Sequence, residues 1–422
     1  MRFRSIGSLI IIACLFSQGF SSDELILKVL FNKANQYEVN FYQNSAKTAT
    51  QVLDKNGNLI KQIGHITDGT FREFYRNGVL KRELPYVDNK LNGQVKEYYV
   101  SGVLKLEANY INNYLNGIYK EYYESSSLKM EYLFKNGKKD GICKDFYEGF
   151  VLKQSTNYIN DIIEGVSREY YDNGILKLEE IYLDGLREGK AKEYSRDGLL
   201  TTEINYHNGQ KDGMYKEYYE NGNMKILDHY KNDQLEGASK TFFEAGAVQI
   251  VANYVKGHLE GPYKEYYEKG ILKYENNFKN DEQEGAYKSY YESGVLKTEA
   301  NYLSNELDGV YKEYYEKGIL KIEETYKDGK KNGTAKEYNE NGKLLYIKEY
   351  SNDMLEGITR VYYENGPLKN EESYLKDRKN GVSREYYENG IDVKYLDTYK
   401  NGVKINRKAF DSKGKLEFNQ NY

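Results

Sequence analysis

The sequence predicts an all-β chain: an elongated array of antiparallel β-hairpins in about fourteen copies of one 24-residue unit. Three observations carry this prediction. A glycine recurs every 24 residues from Gly69 to Gly381 without a slip. Each unit contains two clusters of turn-forming residues. The stretches between those turns, about six to eight residues each, suit strands and leave no room for a helix.

The elements follow in order when the recurrent glycine is counted as position 0. Position 3 is Lys or Arg in all fourteen units, and position 5 is always aromatic, from Phe74 and Tyr98 through Tyr386. The first turn occupies positions 7 to 9, as in Glu220-Asn221-Gly222. Position 11 is almost always Leu (Leu80, Leu104, Leu320), and position 17 is aromatic in thirteen units; in the fourteenth an extra residue near Asp392 moves the aromatic to Tyr399. The second turn, at positions 19 and 20, is usually Asn or Asp followed by Gly, Asn or Asp. These residues tolerate the positive φ of tight hairpins.

A three-residue loop ending in a left-handed Gly would set position 5 opposite 11 and position 4 opposite 12. That register gathers positions 5, 11 and 17 on one face as the core and pairs Glu313 with Lys321. A lone hairpin is marginal in water, so each unit must share its edges with its neighbours. The alternative architecture is a β-solenoid, in which every unit makes one coil and advances about 4.8 Å. Two hairpin-type turns per unit favour the meander.

Residues 57–416 are read as the repeat array, with worn copies around Gly57 and from Phe410 to Leu416, and residues 417–422 as a tail. Residues 23–56 do not follow the repeat and are expected to cap the first exposed strand edge, as helix or as strand. Residues 1–22 read as a signal peptide. Arg2 and Arg4 precede an apolar run from Leu9 to Phe16 that is too short to span a membrane, and small residues follow at Ser17, Gly19 and Ser21. Export to the periplasm, the outer surface or the medium is the expectation. The stretch Ile11 to Cys14 also resembles a bacterial lipoprotein box, which would make Cys14 a lipidated anchor to a membrane.

Little in the sequence points to chemistry. With 61 basic and 65 acidic residues interleaved along the units, no basic patch emerges and no nucleic acid is expected as a partner. His207, His229 and His258 fall in three consecutive units near Asp228 and Asp233. Units spaced by two strands lie about 10 Å apart, whereas zinc needs ligands within about 2.2 Å, so no metal is expected. An Asp, Glu or Asn row at position 23 is explained by hydrogen bonding at the strand entry. The segment Gly185 to Ala191 lacks the spacing of a phosphate loop, no G-x-S-x-G occurs, and neither a catalytic residue nor a cofactor is expected. Cys143, at position 2, reads as a packing residue. One surface stands out: Tyr263, Tyr267, Tyr287, Tyr291, Tyr311 and Tyr315 occupy positions 2 and 6 of three consecutive units, on the face opposite the expected core. Such a ladder suits a protein or cell-surface glycan partner, and the same rings would also stabilise a thin sheet by cross-strand pairing.

Units of the form G-x-Y-K-E-Y-Y-x-N-G-x-L-K-x-E-x-x-Y-x-N-G, from residue 57 to about 416, resemble the bacterial variant of the MORN (membrane occupation and recognition nexus) repeat. That variant is common in proteins labelled YwqK-family antitoxins. The chain has no Trp, and Tyr or Phe stands where the family often places it. The resemblance implies a rod-like or half-pipe sheet of hairpins that acts in protein interaction or at membranes. Three functions are therefore expected: an exported, non-enzymatic interaction scaffold; an antitoxin or immunity protein that neutralises a dedicated toxin; or a membrane-associated MORN-type protein that contacts lipid.

Overall fold

The computed structural model describes residues 24–31 and 36–422. Among these every regular element is a β-strand, and the chain divides into two compact units, one ending at Gln210 and the other starting at Lys211. The proposed signal segment and Cys14 lie outside the described residues.

The first unit opens with four strands, β1 (Leu25–Phe31), β2 (Tyr37–Gln43), β3 (Ala46–Leu53) and β4 (Leu59–Gly64), each antiparallel to the next. The first full repeat begins with β5 (Gly69–Phe74), and β1, not β4, lies beside it: the two pair in parallel, with Ile26 opposite Arg72. The apolar segment that opens this region is thus a strand set against the edge of β5. Around that junction sits a hydrophobic core of Leu27, Val39, Phe41, Ala49, Ile66, Phe71 and Tyr86, in which Phe41, Phe71 and Ile66 are fully buried. Further along the repeats, the buried apolar side chains are small: Val95, Ala108, Cys143 and Ala191 in this unit, and Ala252, Ala300, Ala335 and Ala409 in the other.

The same hairpin recurs in both units. In one example, Gly309–Tyr314 pairs antiparallel with Leu320–Lys327, which pairs in turn with Lys330–Tyr338 of the following repeat. At the first turn the Tyr315 N–H donates to the Ile319 carbonyl and the Gly318 N–H to the Tyr315 carbonyl, both at 2.8 Å. Gly318 takes a φ of 78°, in the left-handed region where a side chain is strained. At the second turn Asp328 and Gly329 have φ of 50° and 72°, and two successive positive values define the type I′ turn that matches strand twist. Each repeat is therefore a hairpin of a meander and not a coil of a solenoid.

The expected register needs one correction. Tyr314 does oppose Leu320, but Glu313 opposes Ile322 and not Lys321. Lys321 is the extra residue of a β-bulge, and the same shift sets Glu73 opposite Arg82 and Glu217 opposite Ile226. One inserted residue reverses the alternation of side chains beyond it. Positions 0, 2 and 4 consequently share a face with 13, 15 and 17, and positions 1, 3 and 5 share the other with 11, 14 and 16. The predicted gathering of 5, 11 and 17 does not occur, because 17 lies across the sheet from the other two. The predicted ion pair forms all the same, since the bulged Lys321 reaches Glu313 at 2.7 Å.

Candidate interaction surfaces

The face carrying positions 2, 13, 15 and 17 is the more buried, and it is called the inner face below. Tyr263 stacks on Tyr274, with ring centroids 5.6 Å apart, and meets Phe278 edge-on at 5.8 Å. Tyr287 packs on Tyr302 at 5.8 Å and Tyr311 on Tyr326 at 6.1 Å. The three position-2 tyrosines singled out from the sequence are half-buried in this ring packing. They do not join the position-6 tyrosines in one exposed ladder.

Between the rings runs a column of position-15 residues, and where that residue is acidic a fixed set of partners surrounds it. Glu324 accepts a hydrogen bond from the Tyr326 hydroxyl and an ion pair from Lys331, both at 2.6 Å. Glu372 is held in the same way by Tyr374 at 2.7 Å and Lys379 at 2.6 Å, and Glu180 by Tyr182 at 2.7 Å and Arg187 at 2.8 Å. Burial, then the bond to Glu180, raises the Tyr182 pKa above that of an ordinary phenol. The cation comes from position 22, which the type I′ turn folds back beside the acid. Where position 15 is Ala (Ala108, Ala252, Ala300), position 22 is Leu (Leu115, Leu259, Leu307). Asp228 breaks the rule: Leu235 stands at its position 22, Ser239 donates a hydrogen bond to it at 2.6 Å, and burial pushes its carboxyl pKa up. Desolvation without a facing cation favours the neutral acid.

The position-6 tyrosines line the first turns. The Tyr267 hydroxyl donates to the Tyr290 carbonyl at 2.9 Å, Tyr291 to Tyr314 at 2.8 Å and Tyr315 to Tyr338 at 2.9 Å. In the other unit Tyr75 and Tyr99 do the same to the carbonyls of Tyr98 and Tyr122, both at 2.7 Å. Tyr75, Tyr99, Tyr291 and Tyr315 also lie under the bulged lysine of their own repeat, with Lys321 Nζ 5.8 Å from the Tyr315 centroid. These rings therefore fasten each repeat to the one after it. Tyr267→Phe should cost about 0.5–1.5 kcal/mol, the net value of one hydrogen bond. Amide exchange at Tyr290 and its strand neighbours would register that cost, and exchange equal to wild type would show that the hydroxyl holds nothing.

The outer face carries charge in alternation. Position-14 acids are flanked by the position-3 cations of their own repeat and of the next: Glu371 pairs with Arg360 at 3.0 Å and Arg384 at 2.9 Å, and Glu323 with Lys336 at 2.8 Å. Position-5 hydroxyls join the ladder. Burial and the 2.8 Å bond to Glu107 push the Tyr122 pKa up to about 12. Beside this ladder runs an exposed aliphatic stripe at position 1: Ile118, Ile142 and Val166 in one unit, and Val310, Ile358 and Val382 in the other, with Ile142 56% exposed. Sequence reading missed the stripe because it placed the faces by the unbulged register.

Of the remaining sequence candidates, the position-23 acids and two of the three histidines, His207 and His258, have structural partners. Glu260 and Glu164, in the position-23 row, accept hydrogen bonds from the turn N–H groups of Asn280 at 2.9 Å and Asp184 at 2.8 Å. His207 bonds Glu188 at 3.0 Å and His258 bonds Asp281 at 2.6 Å, in turns separated along the array. Among the described residues no group of three or more His, Cys, Asp or Glu could hold a metal ion. Cys143 is buried, and burial raises its thiol pKa.

One hairpin repeated with fixed ladders on both faces defines the class, a β-hairpin repeat scaffold. Ten segments match the model of the MORN repeat variant: 67–88, 91–112, 115–136, 163–184, 211–232, 259–280, 283–303, 307–328, 331–352 and 355–376. Together they span just over half of the chain, which belongs to that family. No curated protein matches the chain in sequence. Among solved structures, a chain in "Crystal Structure of TcdB2-TccC3-Cdc42" aligns with 92% of this chain at 11% identity and a TM-score of 0.11, too loose a superposition to carry an argument. The chain spans 28% of that chain's length.

Proposed function

We propose that the chain is an exported, non-enzymatic scaffold that binds a protein partner along the outer face of its repeats. The supporting observation is the exposed aliphatic stripe at position 1 running beside a ladder of alternating charge. Aliphatic contact supplies affinity and the charges set register and partner choice, as at other protein interfaces. A glycan partner would call for open aromatic faces, whereas the inner-face tyrosines pack on one another. Export rests on the Arg2, Arg4 and Leu9–Phe16 pattern, and the MORN-variant resemblance favours a bacterial source.

The test uses the purified chain from residue 23 onward and bacterial envelope extracts. Ile118→Thr, Ile142→Thr and Val166→Thr combined should weaken capture roughly tenfold or more while leaving the circular dichroism unchanged, because threonine keeps the β-branched shape. Unchanged capture would remove the outer face as the contact surface. Cell fractionation with mass spectrometry of the N-terminus reads out export and lipidation at Cys14 together.

A further inference from the structure

Along the outer face of the second unit the charge ladder has a gap. Glu fills position 14 in most repeats, but Leu227 and Val251 stand there in two consecutive ones. Lys240 lies between them, opposite Leu227 on one strand and Val251 on the other. Among the described residues it has no carboxylate partner, whereas the next cation along, Lys264, pairs with Glu275 at 3.2 Å. At the same place the small Ala238 stands at position 1, where six other repeats carry Ile or Val, and an open groove of about 500 Å³ forms beside it. Met214, Leu227, His229, Ala238 and Lys240 line the groove, and Met214 is 49% exposed. Its two acids are engaged elsewhere: Asp228 accepts from Ser239, and Glu236 accepts from the backbone N–H of Lys256 at 2.8 Å.

We propose that this gap is where the partner protein docks, through a carboxylate side chain flanked by a large apolar one. The inference rests on the outer-face reading above and gives it an address. The carboxylate takes the place that Glu holds in other repeats and pairs with Lys240. Its apolar neighbour fills the groove over Ala238, against Met214 and Leu227. A lysine left without a counter-ion beside exposed aliphatic surface selects for that combination over a basic or wholly apolar segment.

The probe is the synthetic peptide Ac-Gly-Phe-Glu-Phe-Gly-NH2, followed by NMR on the full chain with carbon-13-labelled methionine methyl groups. The chain has five methionines, and Met214 reports from inside the groove. Saturable movement of the Met214 resonance at millimolar peptide, with the other methionines still, is the expected result. Lys240→Gln should weaken the interaction roughly fivefold, the scale of one partly exposed ion pair. Leu227→Glu should abolish it while preserving the fold, because that substitution restores the acid of the regular ladder and gives Lys240 a partner. A still Met214 resonance would overturn the proposal. So would an equal response to the lysine peptide Ac-Gly-Phe-Lys-Phe-Gly-NH2, or an equal response in folded Leu227→Glu. If Met214 fails to respond but the threonine variants still lose envelope capture, only the groove assignment falls. If the threonine variants retain capture, the outer-face reading falls.

Discussion

Phe41→Ala is expected to destabilise the first unit by about 3–5 kcal/mol, the cost of emptying a fully buried aromatic site. The ring is 0% exposed and meets Phe71 at 5.1 Å and Tyr86 at 5.2 Å, both edge-on. Those contacts join β2 to the first full repeat, across the parallel pair of β1 and β5. Removing the ring therefore leaves a cavity at the seam between the non-repeating strands and the array. Elsewhere the buried side chains are mostly Ala, Ser, Thr and Cys, whose loss exposes far less apolar surface. A repeat array can unfold in segments, so amide exchange over residues 25–91 is the appropriate measurement, with urea denaturation beside it. A loss under about 1 kcal/mol would mean that the seam is held by edge hydrogen bonds and not by this core.

Asp397→Ala is the second large effect, and it carries a pH signature. Asp397 is 6% exposed and faces two cations: Arg407 in a two-pronged pair at 2.7 Å through both nitrogens, and Lys404 at 2.8 Å. Burial raises its pKa, but the hydrogen bonds and charges of Arg407 and Lys404 outweigh burial and hold the carboxyl below its ordinary value. Removing the acid leaves both cations facing the inner sheet without a counter-ion. The cost is about 2–3 kcal/mol, under that of a wholly buried pair because both cations keep some contact with water. In the unfolded chain an Asp titrates near pH 4. A folded pKa below that value makes the contribution complete above about pH 5 and withdraws it as pH falls through the folded value. Wild type and Asp397→Ala should thus converge in urea stability as pH drops from about 5 toward 2. A gap that stayed constant over that window would show that the ionised carboxylate is not what holds the site.

The repeat length, both turns and the hairpin class were legible because they depend on left-handed positions where Gly, Asn and Asp predominate, with Ser126, Phe150, Lys256, Ser304 and Lys376 as exceptions. A left-handed Gly318 and the paired positive φ of Asp328 and Gly329 can be filled by few side chains, so the sequence displays them. The bulge at Lys321 was not legible, since its conformation suits any L-residue and the lysine common at this position reflects the ion pair with position 4 and not the bulge. That one unmarked residue reversed the face assignment, and with it the reading of which aromatics are covered. The sets around Glu180, Glu324 and Glu372 lay in plain view as an acid followed seven residues later by Arg187, Lys331 and Lys379. Seven is neither a strand nor a helix spacing, and it acquires meaning only once the intervening turn folds position 22 back. The parallel approach of β1 to β5 had no local signature either, because it joins segments with no repeat in common.

The tyrosine hydroxyls at the first turns reach forward by the same interval in almost every repeat, as Tyr267 does to Tyr290 and Tyr291 to Tyr314. One whole period can therefore be removed with this contact re-formed. Excision of residues 285–308 would splice Glu284 to Gly309 and present Tyr267 with the Tyr314 carbonyl where that of Tyr290 had been, each surviving contact passing to an equivalent atom. Loss or gain of a repeat would then change the chain in whole steps of 24 residues while keeping the same hairpin.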